Sequence, residues 1–409
     1  MNKDIKKAFN LPEGILVSKT KTSIDKVIIY CRSPKIYTSC PHCHCSTKKI
    51  HQYHYRNIKH SKIDFKQVIL NIKIRRFKCK HCQKTFTESI KGIDKRKSTI
   101  NFRLQTMDLL QRNSFNYTAS KFDISSATLT RYLLDIHNDC KIDWNQEIIT
   151  KLGIDEHSFR GRNLAITITD LSHHKLLNIL PNDNQMTLIK YLKSIPKTAR
   201  NKIKEVSIDI CPSYCSVIKK YLPQAKIVAD RFHVEQLANR ALDNIRSVIQ
   251  YVDNKNRINI KQILLKSKYK LTNNEKRKLN YAFQQYQQYP ALYEAYFIKE
   301  KIKIMYNTRN KKKAIEKYNE VIKLLEDCHD NRYLKTLLKT MKNWKQEILN
   351  YFNNRTTNAY TEGIHTKIKM MKRVSFGFRN INNYIAKMTL AFIPLIWLIK
   401  YHTVWRRAG

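Results

Sequence analysis

The stretch Val206–Glu235, VSIDICPSYCSVIKKYLPQAKIVADRFHVE, admits few folds. Val206–Ile210 is a short β-branched run that carries Asp209 at its end. Pro212-Ser213 opens a helix whose apolar stripe is Tyr214, Val217, Ile218, Tyr221 and Leu222. Ala225–Ala229 is a second apolar strand, and it too runs into a carboxylate, Asp230. A buried strand that delivers an acid at its C-terminal end is how α/β proteins place a metal ligand or a catalytic base. The stretch therefore asks which other acids join Asp209.

Upstream, Leu152–His157 is strand-like and carries Asp155 and Glu156. Leu164–Asp170 alternates as a strand, Lys175–Leu180 is another, and Asp170–His174 is the turn between them. A helix through Met186–Ile195 leads back to Val206. The expected order is three strands, helix, strand, helix, strand, which is the order of the ribonuclease H-like α/β fold. It sets Asp155 beside Asp209. After Val234 the strand signals stop, and a lysine- and tyrosine-rich helical insertion follows, with breaks near Asn273-Asn274 and Pro290.

The chain has 78 Lys plus Arg against 32 Asp plus Glu, a formal charge of +46. A surplus of that size points to a polyanionic partner, in the first place nucleic acid. A bias toward Lys, Asn and Ile inflates the lysine count, but it does not account for so few acids. No signal peptide is expected, because MNKDIKKAFNLPEG lacks an apolar segment. Met388–Ile399 is interrupted by Pro394 and reads as a buried C-terminal helix too short to span a bilayer. A cytoplasmic protein without a membrane partner is expected. Its 10 cysteines then sit under reducing conditions, where paired cysteines suggest metal rather than disulfides.

The pairs are Cys40-Pro-His-Cys43 and Cys79-Lys-His-Cys82, four thiolates suited to tetrahedral structural zinc. Cys45, His42, His44 and His81 are alternative ligands. Between the pairs, Val68, Leu70, Ile72 and Ile74 alternate with polar or flanking residues as a strand, and the long interval leaves room for further strands. Beyond the basic stretch Lys91–Ser98, a helical pattern begins at Asn101. Tyr117–Phe122, a turn at Asp123-Ile124 and a helix from Ser125-Ser126 through Leu134 fit a helix-turn-helix, with Ala119, Ile124, Leu129 and Leu133 as its apolar contacts. Ser126, Thr128, Thr130 and Arg131 fall on the exposed second helix, the one that enters the major groove in that motif. A plain helical hairpin would show the same pattern.

Near the C-terminus, a helix from about Thr357 to Lys372 would put Asn358, Glu362, Thr366 (or His365) and Lys369 on one face. Lys367, Lys369, Lys372 and Arg373 make it strongly basic. On spacing alone, a surface salt bridge with Lys369 or His365 would account for Glu362.

Four motifs carry a resemblance: CPHC with CKHC at 40–82, GIDEHSFRGR at 153–162, VSIDICPSY with IVADRFHV at 206–234, and NAYTEGIHTKIKMMKRVSFGFRN at 358–380. In order and spacing the chain resembles DDE transposases of bacterial insertion sequences, the ISL-three group. The resemblance implies that Asp155, Asp209 and Glu362 form the DDE triad, and that Lys369, with Lys367, Lys372 and Arg373, faces transposon-end DNA. Asp230 is expected to support the site. His365 departs from the family by standing where Asn is common. The implied cofactors are two Mg²⁺ (or Mn²⁺) ions on the triad and a structural Zn²⁺ on Cys40, Cys43, Cys79 and Cys82. Carboxylates suit magnesium, and the thiolates do not.

The implied organisation is a zinc-binding module (1–92), a helix-turn-helix (99–145), a catalytic domain in two parts (150–234 and 353–409) and a helical insertion between them (235–352). The implied activity is binding of terminal inverted repeats, hydrolysis at the transposon end and attack of the freed 3′-hydroxyl on target DNA. The implied partner is double-stranded DNA, engaged by a homodimer in a nucleoid-associated synaptic complex. One alternative is a catalytically inactive, sequence-specific DNA-binding regulator. Another is a tyrosine recombinase, whose Arg and His cluster around one Tyr cannot be assembled from this chain.

Overall fold

A computed structural model describes residues 2–90, 93, 96–139, 142, 144, 147–253, 258–328 and 330–394. It divides into two compact units, Met1–Lys141 with Lys369–Gly409, and Ile142–Ile368.

The first unit opens with α1 (Asn2–Ala8), β1 (Leu16–Thr22) and β2 (Lys26–Arg32). Two-residue strands β3 (Thr38–Ser39) and β4 (Ser46–Thr47) form a hairpin, followed by the long strands β5 (Ile50–Ile63) and β6 (Lys66–Lys78) and by β7 (Thr85–Thr87). The main sheet runs β1-β2-β6-β5, with β7 also on β6. The alternation expected from Val68 to Ile74 is present, and all four apolar residues are buried with Ile29 and Ile58. The interval between the cysteine pairs thus holds extra strands, as its length suggested. Positions 91, 92, 94 and 95 of the basic stretch lie outside the described residues.

Three helices follow: α2 (Ile100–Leu110), α3 (Phe115–Lys121) and α4 (Ser126–Asp139). Helix α3 starts two residues before its expected position, because the Ser114 hydroxyl accepts from the Tyr117 N–H and caps it. Ser125 caps the next helix in the same way through Thr128. Ala119, Leu129 and Leu133 are buried in one cluster, and half-buried Ile124 packs on it.

In the second unit, β8 (Lys151–Arg160), β9 (Asn163–Asp170) and β10 (Lys175–Leu180) form an antiparallel meander. Helices α5 (Gln185–Ser194) and α6 (Lys197–Arg200) lead to β11 (Glu205–Ile208), α7 (Pro212–Tyr221) and β12 (Lys226–Ala229). The sheet order is β10-β9-β8-β11-β12, with β11 parallel to both β8 and β12. The parallel strands β8, β11 and β12 carry Leu152, Ile154, Val206, Ile208, Val228 and Ala229, all buried, so the sheet is covered on both faces. Both strands of the opening stretch stop one residue before their acid.

From there the chain is helical: α8 (Arg231–Val252), α9 (Lys261–Leu265), α10 (Asn273–Gln285), α11 (Pro290–Asn307), α12 (Lys311–Asp327), α13 (Arg332–Asn343) and α14 (Lys345–Asn354). The expected breaks are starts of helices. Thr272 and Glu275 form a capping box on α10, and Pro290 takes the first turn of α11, where its missing N–H costs nothing.

Helix α15 (Ala359–Val374) begins in the second unit, and its last residues, from Lys369, belong to the first. Helix α16 (Ile381–Leu390) buries Ala386 and Leu390 with α2 and α4, and its buried Lys387 ammonium donates to the carbonyls of Leu110 and Asn113. Residues 353–409, expected as one part of the catalytic domain, are therefore divided between the units. The buried C-terminal helix also lies earlier than expected. Met388–Leu390 is its last turn, a bend precedes Pro394, and 395–399 lie outside the described residues.

Candidate active site and metal centres

The two cysteine pairs meet. Cys40 Sγ lies 3.6 Å from Cys82 Sγ, and Cys43 Sγ lies 3.5 Å from Cys79 Sγ. All four sulfurs fall within 4.8 Å of one another. Sulfurs on one tetrahedral zinc, at about 2.3 Å from the metal, sit close to this separation. Each pair occupies a tight turn closed by backbone bonds, Cys40 N–H to the Cys45 carbonyl and Cys79 N–H to the Lys84 carbonyl, both 2.9 Å. The residue after each second cysteine, His44 and Gln83, has a left-handed φ of 58°. Two identical backbone turns thus present two sulfurs each. The backbone N–H of Cys82 pulls the Cys79 thiol down to about 6, toward the thiolate a metal needs. Of the alternative ligands, Cys45 and His81 gather with Cys43 in a second, overlapping group.

The acids are positioned by sheet register. Ile154, Ile208 and Ala229 are partners across β8, β11 and β12, so Asp155, Asp209 and Asp230 follow in one row. Asp155 and Asp230 are buried, at 6% and 2% exposure. Burial, and then the neighbouring Asp209, push Asp155 up to about 7. Asp230 is raised by burial as well.

Helix α15 brings the fourth acid. The residues expected to share one of its faces separate into two. Asn358 and His365 are buried against the sheet, whereas Thr366 and Lys369 are exposed and Glu362 lies half-buried between them. The buried stripe runs through Thr361, Ile364, His365 and Ile368, and Glu362 and Lys369 fall at its edge. Gly153 permits this close approach. A Cβ there would stand 2.4 Å from Thr169 Oγ1 and 2.7 Å from Thr361 Oγ1, and those two hydroxyls are themselves 2.8 Å apart. Asp230 Oδ1 takes the Asn358 N–H at 2.9 Å and fixes the start of the helix.

Among the acids stands His233, a residue the sequence reading passed over. Its Nε2 is 2.9 Å from Asp209 Oδ1. Two groups of ligand atoms share it: Asp155, Asp209 and His233, and Asp230, His233 and Glu362. The structure thus pairs Asp155 with Asp209 and places Glu362 nearest Asp230 and His233. Glu362 is raised by burial and by Asp230. A signal for His233 existed: it follows the helix-capping Asp230 by three residues, which returns both side chains to one helix end.

Behind Asp155 runs a polar chain that was equally unforeseen. His365 Nδ1 is 3.5 Å from Asp155 Oδ2, and its Nε2 is 2.9 Å from the Thr167 hydroxyl, which is 2.8 Å from His157 Nδ1. His157, Thr167 and His365 are all buried. The departure at His365 therefore makes a specific contact to the first acid.

On α4, the Ser126 hydroxyl donates to Asn116, Thr130 bonds back to the Ser126 carbonyl, and Thr128 shares bonds with Ser125 and Arg131. Arg131 is the exposed member of the four expected DNA-contacting residues. Lys367, Lys369 and Arg373 are exposed and Lys372 is half-buried.

Residues 152–388 match the DDE transposase family of the ISL3 group, described simply as transposase, and residues 36–82 match the zinc finger of the IS204/IS1001/IS1096/IS1165 transposases. The chain belongs to that transposase family. It is similar to the transposase of insertion sequence element IS1001 from Bordetella parapertussis, 23% identical over 383 residues, covering 89% of this chain and 91% of the relative. It is also similar to the transposase of IS1557 from Mycobacterium tuberculosis, 24% identical over 275 residues, covering 59% of this chain and 60% of the relative. The zinc-finger match includes all four cysteines, Cys40, Cys43, Cys79 and Cys82, which supports structural Zn²⁺ there. Among the described residues no helix is long and apolar enough to cross a membrane.

Proposed function

We propose that this transposase binds the terminal inverted repeats of its element and cuts and joins DNA strands with Asp155, Asp209 and Glu362. The catalytic unit is read as a ribonuclease H-like domain whose helical insertion spans α8 to α14. The observation that carries the reading is the row of carboxylates at one level of three adjacent strands, faced by Glu362 from α15. Desolvated acids this close repel one another, as the raised Asp155 reflects, and a hard divalent cation is the partner that relieves such a set. Asp155, Asp209 and Glu362 would hold Mg²⁺ or Mn²⁺. When bound, the two ions supply Lewis-acid stabilisation of the attacking and leaving oxygens of an in-line displacement.

The chain's own groups do the rest. Asp209 is held in orientation by His233, and Asp155 is backed by His365. Asp230 fixes the start of the helix that carries Glu362. Arg131 on the helix-turn-helix and the basic end of α15, Lys367, Lys369, Lys372 and Arg373, supply cations for DNA phosphates. Two copies bring two ends together, and the reaction takes place at the bacterial nucleoid.

The test uses a labelled transposon end with Mg²⁺. Asp155→Asn, Asp209→Asn and Glu362→Gln should each abolish nicking while retaining end binding. If all three variants cut like the parent, the triad is wrong; if the parent itself binds ends without cutting them, the protein is a DNA-binding regulator. A DNA band covalently linked to protein on a denaturing gel would instead make it a recombinase with a covalent intermediate.

A further inference from the structure

One residue from the carboxylate site, a cleft of about 390 Å³ opens along α8. Phe232 stands at its near end, 53% exposed, with its ring centroid 5.4 Å from the His233 ring in an edge-to-face arrangement. This ring abuts the histidine that contacts Asp209. The floor beyond it is polar. Gln236 and Asn239 line successive turns of α8, and Asn239 Oδ1 is buried without a hydrogen-bond partner. Arg240 and Lys303 also line it, Arg240 donating to Gln236 Oε1 and Lys303 to the Leu265 carbonyl, while Lys261 is engaged by Asp243. The two acids of the lining are already matched: Glu235 by Arg231 at 2.6 Å, and Asp243 by Arg246 at 2.6 Å and Lys261 at 2.7 Å.

An aromatic face, amide groups for a base edge and cations for a phosphate together describe a nucleotide pocket. Its volume is in the range of small-ligand sites. Phe232, one of its lining residues, adjoins His233 among the carboxylates. We propose that the cleft receives a DNA base unstacked from the strand being cut, with Phe232 as its stacking platform. The proposal rests on the strand-cleavage reading above. Unstacking a base costs a few kcal/mol, and an aromatic platform recovers about 1–3 kcal/mol. Withdrawing the base would free the adjoining phosphate from the constraint of the duplex and let it settle among the acids.

The experiment uses the full-length protein and duplex transposon ends with 2-aminopurine at successive positions flanking the cut, in Ca²⁺ to hold cleavage off. One or two positions should brighten several-fold on binding. Phe232→Ala should remove that rise and slow cleavage in Mg²⁺, while binding the duplex as before. Phe232→Tyr should keep both, and an abasic residue at the responsive position should restore cleavage by Phe232→Ala. A flat fluorescence series with normal binding and cutting overturns the cleft proposal, as does a signal that survives in Phe232→Ala. Cutting by Asp155→Asn would instead overturn the triad reading, so the two failures are told apart.

Discussion

The protein builds two metal-suited clusters by opposite means. The cysteine cluster is made of two copies of one short turn, each holding its ligands by its own backbone hydrogen bonds and a left-handed residue. The carboxylate cluster has no local unit. Asp155, Asp209, Asp230 and Glu362 come from three strand ends and a helix, and their geometry exists only when the sheet is in register and α15 is seated on it. A local site can be written into a motif, whereas a distributed one depends on residues that are not ligands at all. The Cys79 thiol is lowered by the N–H of Cys82 before any metal arrives. Asp155, Asp230 and Glu362, by contrast, are raised by burial and then by neighbouring acids.

The sharpest contrast is therefore between removing a carboxylate and removing a thiolate. Asp155→Asn should lower strand cleavage by roughly 10³-fold or more, measured with a labelled end. It should also stabilise the metal-free protein at pH 8. A folded value near 7, against an ordinary 3.8, means that the folded state holds this proton more tightly than the unfolded one. The resulting penalty grows as pH rises from about 4 to 7 and is complete at pH 8. The substitution removes it, by roughly 1–3 kcal/mol. Calorimetry at pH 8 and pH 5 should show the gain shrinking in acid, and an equal gain at both would mean that Asp155 carries no such charge cost.

Cys79→Ser should act in the other direction. Zinc content should fall by one equivalent, and the first unit should lose stability, because metal affinity at such sites is folding free energy. A protein that keeps its zinc and its melting profile after this change would show that another ligand, such as Cys45 or His81, completes the set.

Gly153→Ala tests whether the distributed site depends on a residue with no side chain. The added methyl meets Thr169 and Thr361, so α15 must lift or tilt. The expected cost is about 1–3 kcal/mol of stability, with a loss of cleavage out of proportion to that. Unchanged activity would mean that Glu362 does not need this seating. The smallest effect is expected from Thr167→Val, which breaks the bond to His365 behind Asp155 and should slow cleavage only several-fold.

What could be read from residues alone follows the same divide. Matched spacing announced the cysteine turns, and period-two and helical patterns placed the strands, their order and most helices. Asp155 and Asp209 followed from strand order. Glu362 did not, because its spacing equally suits a surface ion pair, and the resemblance supplied it. His233, Thr167 and Gly153 went unread because their meaning lies in what crosses over them. A threonine in ITITD looks like ordinary strand alternation until His365 is brought against it by a helix far along the chain. The boundary between the two units was likewise illegible, since it falls within α15, which continues as one unbroken helical pattern.

Asp230 carries one more consequence. One of its oxygens takes the N–H of Phe232, where the chain leaves for the helical segment, and the other takes the N–H of Asn358, where it returns. Departure and arrival are stitched to a single side chain. Between α8 and α14, whose Asn350 donates to the Ile227 carbonyl of β12, the chain makes an excursion that returns to its starting point. Loop-closure entropy rises only slowly with such length, by about 0.6 kcal/mol per doubling. Lineages could lengthen, trim or replace that segment, and with it whatever surface it offers to DNA, while the four acids kept their places.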